Sequence, residues 1–259
     1  MIAVVIPCYK VKDQIVEVIG SIGEVVDKIY VIDDCCPHNT GNYVLDICTD
    51  LRVEVVFHKE NGGVGAAVKT GYKKALKDGA EYIIKLDGDG QMDASLIPDI
   101  IRPLKKLKAD YVKGNRFYEL KYLRTMPRLR LIGNSMLSLI NKFSSGYWNI
   151  MDPTNGFTAI NSRALRMLPL TKIDDGYFFE SDMLFRLGTI RAVTTEIPMS
   201  ANYGQEDSSL NIKKILLEFP CKYFNRFIKR LTYNYFFFFF KIGTIELVFG
   251  LLLVLGGAV

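Results

Sequence analysis

Histidine is scarce, and that scarcity removes whole classes of chemistry. His38 and His58 are the two histidines in 259 residues, and no serine or cysteine around them suggests a charge-relay triad. Cysteine is limited to Cys8, Cys35, Cys36, Cys48 and Cys221, an odd set with no C-x-x-C pair and no metal-type spacing to histidine. That pattern predicts reduced, buried thiols in an intracellular compartment, not a disulfide framework. No G-x-x-x-x-G-K-[ST] stretch occurs, so a P-loop is excluded. Met1 runs directly into the apolar Ile2–Ile6, and no secretory leader is expected.

Acid is the other shortage, and it is local. Residues 211–241 carry seven basic side chains (Lys213, Lys214, Lys222, Arg226, Lys229, Arg230, Lys241) against the single acid Glu218. They account for the net charge of +5 and leave the rest of the chain close to neutral. A nucleic-acid binder could share this excess. Here, however, the bases alternate with Phe219, Tyr223, Phe224, Phe227, Tyr233, Tyr235 and the run Phe236–Phe240, a composition suited to an interfacial helix on anionic lipid. Nucleic acid is not expected as a partner. Leu247–Val259 follows, thirteen residues without a charge. Such a helix reaches about 20 Å, short of the roughly 30 Å hydrocarbon core. We expect residues 242–259 to be the start of a truncated transmembrane helix, the alternative being a helix buried in the core. Flanking Lys and Arg place the folded part on the cytoplasmic side.

What is present is a globular chain, 49% hydrophobic and 24% charged, able to bury a sizeable core. Apolar runs at Ala3–Cys8, Lys28–Ile32, Val53–Phe57, Tyr82–Leu86 and the shorter Tyr111–Val112 alternate with helix-length stretches near 12–23, 40–50, 63–78 and 95–108. This alternation predicts an α/β fold with a mostly parallel sheet covered by helices on both faces. The second half is less regular: a helix near 130–145, a turn at Asp152–Phe157 leading to a short strand, a helix within Gly176–Leu187, and a strand over Ala192–Pro198. Ligands of such sheets sit beyond the carboxyl ends of the strands. Tyr9, Asp33–Asp34, His58–Asn61 and Asp87–Asp89 all fall there.

KLDGDGQMD (85–93) is the densest of these stretches. Hard divalent cations take carboxylate oxygens, and Mg²⁺ is satisfied by one or two of them plus substrate phosphates. An EF-hand loop starting at Asp87 would need Gly and Glu where Met92 and Pro98 stand, so it is excluded. Asp93 reads as a helix cap. Asn61–Ala67 (NGGVGAA) opens a helix after a strand, where backbone N–H groups suit a phosphate. It also mimics a dinucleotide fingerprint, but Val68 holds the third glycine position and no catalytic His or Lys completes a dehydrogenase. Asp33-Asp34 reads equally as a cap pair or as acceptors for a base or ribose. Glu180 and Asp182 are either helix-start acids or site residues.

Together, VVIPCY (4–9), VIDDCCPHNT (31–40), NGGVGAAVKTGY (61–72), KLDGDGQMD (85–93), KGNRF (113–117), DPTNGF (152–157) and GYFFESDML (176–184) resemble the family-two inverting glycosyltransferases, which have the GT-A nucleotide-sugar-binding fold. KGNRF and NYGQEDSSL (202–210) are similar to members that glycosylate polyprenyl phosphates, such as the dolichyl- and undecaprenyl-phosphate hexosyltransferases. The resemblance implies a catalytic domain over 1–210, a juxtamembrane segment over 211–241 and a membrane helix beyond. It implies Mg²⁺ or Mn²⁺ on Asp87, Asp89 and Gln91. Pro7, Tyr9, Asp33, Asp34, Asn61, Gly63, Gly65, Lys69, Asp87 and Gly88 would bind the nucleotide-sugar. Asp89, Glu180, Asp182 and Arg116 would be catalytic, with Arg116, Arg128 and Arg130 on the acceptor phosphate. Two positions depart from the family: Asn202 stands where a base is common, and Cys35 where Gly or Ser is usual.

The reaction expected is displacement at the anomeric carbon of a UDP- or GDP-sugar by a polyprenyl phosphate, at the cytoplasmic membrane face. A lipid phosphate is ionised already and needs no base; a sugar hydroxyl, the alternative acceptor in polysaccharide synthesis, would need one. A non-catalytic nucleotide-sugar binder would have little use for the intact Asp87-Gly88-Asp89. A homo-oligomer is compatible with all of these readings.

Overall fold

The structure, a computed structural model, describes residues 1–118, 128–200, 212–237, 240 and 242–257, without the side chains of 128–130 and 212–216. Seven strands form one sheet: β1 (Ile2–Cys8), β2 (Lys28–Asp33), β3 (Val53–Phe57), β4 (Tyr82–Lys85), β5 (Tyr111–Asn115), β6 (Thr158–Asn161) and β7 (Thr194–Pro198), in the order β3-β2-β1-β4-β6-β5-β7. β1, β2, β3 and β4 run parallel, and so do β5 and β7, while β6 is antiparallel to both its neighbours. The expectation of a mostly parallel sheet holds, with one reversed strand inserted.

Apolar residues on both faces of each inner strand explain the two-sided covering. Val4, Ile6, Val31 and Ile84 pack on one side with α1 (Ile15–Gly20) and α4 (Ile97–Lys105), beside α2 (Thr40–Ile47). Val5, Tyr30, Ile32 and Ile83 pack on the other with α3 (Val64–Lys77) and α7 (Phe179–Thr189). α5 (Arg128–Ser145), the short α6 (Ser162–Met167), α8 (Ile212–Thr232) and α9 (Ile242–Gly256) complete the helices of the described residues.

Several boundaries move for physical reasons. β5 continues past Val112 to Asn115, because Lys113 is fully buried and its ammonium donates to the Asn155 carbonyl at 2.6 Å. The stretch expected to be helical from 12 to 23 is helical only over Ile15–Gly20. Asp93 is a cap, accepting from the Ser95 amide at 2.9 Å.

The expectation of five buried thiols holds for Cys8 and Cys36 and fails for the other three, Cys48 being half-buried. All five are free, but Cys35 and Cys221 are exposed. Cys35 takes φ +53° in the loop after β2, a left-handed conformation where glycine is unstrained. The departure at Cys35 therefore falls on the residue that feels it most.

No helix among the described residues is long and apolar enough to cross a membrane. α9 is nonetheless not a core helix. It exposes Ile242, Phe249 and Leu251–Leu255, and Thr244 is the buried residue along it.

Candidate active site

The carboxyl ends of β1, β2, β3 and β4 lie along one sheet edge, in the parallel register Cys8–Asp33–Phe57 and Val5–Lys85. Tyr9 stands exposed beside the half-buried Pro7.

Asp33 and Asp34 are both buried, and both spend their oxygens on the chain's own backbone. Asp33 accepts from the amides of Cys36 (2.7 Å) and Gly41 (2.6 Å). Asp34 accepts from the amides of Gly62 (2.9 Å) and Gly63 (2.7 Å) and from His58 Nδ1 (2.7 Å). The open reading of this pair, cap or ligand acceptor, acquires a clear cap component.

The glycine loop at the start of α3 is similarly occupied. The Ala66 amide donates to the Asp175 carbonyl at 3.1 Å, and a Cβ on Gly65 would collide with the Asp174 and Asp175 backbone. The glycines admit a crossing backbone segment where a phosphate could be imagined. Lys69 holds that segment, donating to the Ile173 carbonyl at 2.8 Å and pairing with Asp175 at 2.5 Å. Asn61 is exposed at the loop's start.

Asp87 and Asp89 sit differently. Gly88 between them is buried, facing Ile6, Val11 and Ile15, which fixes the turn. Asp89 accepts from the Gln91 amide at 3.0 Å, and Asp87 Oδ1 from Lys85 Nζ at 2.6 Å. Among the described residues no group of three or more His, Cys, Asp or Glu gathers. Two carboxylates and one amide on a single turn make no closed cage. They fit a hard divalent cation that takes its remaining oxygens from a substrate diphosphate.

Lys85 joins this turn to two other segments. Its side chain is 1% exposed, and Nζ contacts Glu180 Oε1 at 3.0 Å and the Gly156 carbonyl at 3.3 Å. Gly156 leaves room for this contact: a Cβ there would displace Asp87 Oδ2 and Lys85 Nζ. Burial alone would lower the lysine's pKa; the carboxylates of Asp87 and Glu180 outweigh it and hold the ammonium well protonated.

Lys85 also begins a buried polar row that sequence reasoning missed. Register places Lys85, Thr158, Lys113 and Glu196 side by side on β4, β6, β5 and β7. Burial lowers Lys113 to about 8, only partly offset by Glu180 and Asp152, and desolvation raises Glu196. The available signal was a lysine closing an apolar strand, as in YIIK and YVK.

Arg116 is forked onto the fully buried Asp152, Nε to Oδ2 at 2.7 Å and Nη2 to Oδ1 at 2.8 Å. Arg128 and Arg130 stand in the first turn of α5, and their side chains lie outside the described ones. Asn202 and the NYGQEDSSL stretch also lie outside the described residues.

Glu180 and Asp182 part company. Half-buried Glu180 meets Lys85, whereas Asp182, fully buried, takes Arg226 Nε at 2.6 Å and Nη2 at 3.0 Å. Lys222 pairs with Asp174 at 2.7 Å. Two bases expected to face lipid headgroups thus turn inward, onto the buried Asp182 and the half-buried Asp174.

Comparison with known proteins agrees with this arrangement. The model of the family Glycosyl transferase family 2 matches residues 3–168. UDP-N-acetylglucosamine–dolichyl-phosphate N-acetylglucosaminyltransferase of Methanococcus voltae is 29% identical over 65% of this chain and 72% of its own. Undecaprenyl-phosphate mannosyltransferase of Micrococcus luteus is 26% identical over 76% of this chain and 81% of its own. Among solved structures, glucosyl-3-phosphoglycerate synthase from Mycobacterium tuberculosis, in complex with Mn²⁺, UDP and phosphoglyceric acid, superposes with a TM-score of 0.63. It is 17% identical, covering 89% of this chain and 78% of that one; the likeness is one of fold.

Proposed function

The chain belongs to glycosyl transferase family 2, and on that premise we propose that it moves a hexose from a UDP- or GDP-sugar to a polyprenyl phosphate at the cytoplasmic membrane face. One observation carries the reading: the Asp87-Gly88-Asp89 turn closes β4 and is tied through buried Lys85 to Glu180 across the edge. Relatives named for dolichyl- and undecaprenyl-phosphate transfer support the acceptor class.

Asp87, Asp89 and Gln91 would hold Mg²⁺ or Mn²⁺, which when bound supplies positive charge to the departing diphosphate. Tyr9 offers an exposed ring for the nucleobase, and Asn61 and the loop behind it border the nucleoside. An acceptor phosphate oxygen forms the new bond to the anomeric carbon while the bond from that carbon to the diphosphate breaks, inverting the centre. The phosphate oxygen arrives ionised, so no proton needs removing. Glu180 Oε1 is committed to Lys85, which suits a positioning role better than that of a base. Arg116, with Arg128 and Arg130, is the candidate for the acceptor phosphate. Asp182 enters through the frame that supports Glu180.

Exposed apolar side chains support work at a lipid surface. Leu217, Phe224 and Ile228 lie along the outer side of α8, and Ile132, Met136, Leu139 and Phe143 along α5. That spacing makes each an amphipathic helix. The defining test is a panel of UDP- and GDP-sugars with undecaprenyl phosphate and Mn²⁺, following label into organic solvent. Transfer from one donor is expected, and a silent panel would sink the acceptor claim. Transfer to an oligosaccharide hydroxyl instead, abolished by Glu180→Gln with donor binding intact, would establish the alternative acceptor.

A further inference from the structure

α7 opens with Glu180, Ser181 and Asp182 in succession, each turned about 100° from the last. Only Glu180 among them meets the sheet lysine. Side chains of α8 reach the residues on either side of it, and Arg186 of α7 lies 3.7 Å from Asp182 as well. Ser181 Oγ and Tyr223 Oη share a hydrogen bond at 2.7 Å. Asp182 is fully buried under the Arg226 fork and also accepts from the Asp174 amide at 3.0 Å, while Asp174 itself takes Lys222 at 2.7 Å. Phe178 packs edge-on against Phe219 and Tyr223, with centroids 5.2 and 4.8 Å away. Phe219, Lys222, Tyr223 and Arg226 form one side of α8, opposite the exposed Leu217, Phe224 and Ile228.

Nothing in a surface anchor requires this. A helix needed only to touch lipid could dock by apolar contact, without placing an arginine over a buried carboxylate. The Arg226–Asp182 pair is desolvated and doubly hydrogen-bonded, so its geometry is fixed in a way an exposed pair's is not. Asp182 is two residues, about half a turn, from Glu180 on the same helix. Movement of α8 relative to the sheet is therefore movement of Glu180 relative to Lys85 and Asp87.

We propose that Arg226 is a positioning residue of the transfer reaction. Through Asp182 it sets the first turn of α7, and hence Glu180, making α8 part of the active-site frame as well as of the surface the site rests on. This rests on the reading of Glu180 as a residue of the transfer site.

The test is a double-mutant cycle on the full chain: wild type, Arg226→Met, Glu180→Gln and the double variant. Transfer is assayed with the sugar nucleotide selected by the panel and undecaprenyl phosphate in detergent, and UDP or GDP binding is measured by calorimetry. Arg226→Met is expected to lower kcat by about tenfold or more, since small misplacements of site groups cost that much. Nucleotide affinity should stay within about twofold, because the bonds of Arg226 go to Asp182 and not to Asp87 or Asp89, and Arg226→Lys should restore part of kcat. The double variant should be no slower than Glu180→Gln alone. Hydrogen exchange in 176–184 should quicken in Arg226→Met while that of β4 does not, a readout that needs no substrate. Tyr223→Phe removes the Ser181 bond without stranding a charge and should show the same non-additivity with a smaller loss.

If Glu180→Gln is impaired and Arg226→Met is silent, or multiplies with it, the positioning role is overturned while the site reading stands. If Glu180→Gln leaves transfer unchanged, the site reading of Glu180 fails, and the route proposed for Arg226 fails with it.

Discussion

Two pairs of acids close neighbouring stretches of the same sheet edge, and they are used in opposite ways. Asp33 and Asp34, after β2, are buried and accept from the amides of Cys36, Gly41, Gly62 and Gly63. Asp87 and Asp89, around the turn after β4, are half-buried, and the partners seen there are the buried ammonium of Lys85 on Asp87 and the Gln91 amide on Asp89. The first pair builds the loops that frame the edge; the second is the pair proposed above to hold the metal. An acidic doublet at a strand's carboxyl end is thus not one feature. The neighbouring backbone decides how much of its charge is spent on loop amides.

The largest expected effect sharpens that contrast. Asp89→Asn should lower transfer by about a hundredfold or more, the scale of losing a group that stabilises transition-state charge. Its thermal stability should stay within about 1 kcal/mol, because an asparagine oxygen can still accept from the Gln91 amide. Asp34→Ala should behave inversely, losing about 2–4 kcal/mol in a denaturant titration because two loop amides and His58 lose their acceptor. A stable Asp34→Ala that is catalytically dead would break the distinction.

Lys85→Met comes next. It leaves Asp87 and Glu180 without their shared counter-charge and should cost about 3 kcal/mol of stability. Calorimetry or chemical denaturation checks it, and an unchanged midpoint would mean that the three segments do not depend on the lysine.

Lys113 contrasts with Lys85 along the same row: one is held charged, the other is pushed down to about 8. The unfolded chain releases that proton near 10.5, so between about pH 8 and 10 the unfolded state binds more protons and folding strengthens as pH rises. Lys113→Met should therefore be more stable than wild type at pH 7, by about 1–3 kcal/mol, and the gap should narrow above pH 8. A gap constant from pH 7 to 9.5 would contradict the depressed value.

The smallest effect concerns the lipid surface. Because Lys222 and Arg226 face acids of the chain itself, vesicle binding should weaken only modestly as salt rises. Leu217→Ser with Phe224→Ser should weaken it more. Sedimentation with anionic vesicles reads both, and a steep salt dependence would restore the electrostatic anchor.

The legible part of this molecule was whatever leaves a pattern in hydrophobicity. Doubly apolar runs announced β1, β2, β3 and β4, and their shared direction put the acids on one edge. The short strand expected after Asp152–Phe157 is β6, but its reversed direction was not legible, because hydrophobicity along a strand does not say which way it runs. Lys113 hid the end of β5, since a charged residue ordinarily closes a buried strand. Asp87 and Asp89 could be read from spacing alone. Their link to Glu180 could not, because it crosses from the end of β4 to the start of α7 through a lysine that looks like a strand terminator. Arg226 was misread for the same reason: a base on an aromatic helix looks like a lipid contact until the buried acid opposite is seen.

The most direct measurement is transfer of labelled hexose from the sugar nucleotide selected by the panel to undecaprenyl phosphate, in wild type and Asp89→Asn, with chelator and then with Mn²⁺ restored. Chelation should stop transfer by wild type, Mn²⁺ should restore it, and Asp89→Asn should stay near background throughout. Transfer that survives chelation, or that Asp89→Asn performs at the wild-type rate, would contradict a metal-dependent site on the Asp87-Gly88-Asp89 turn.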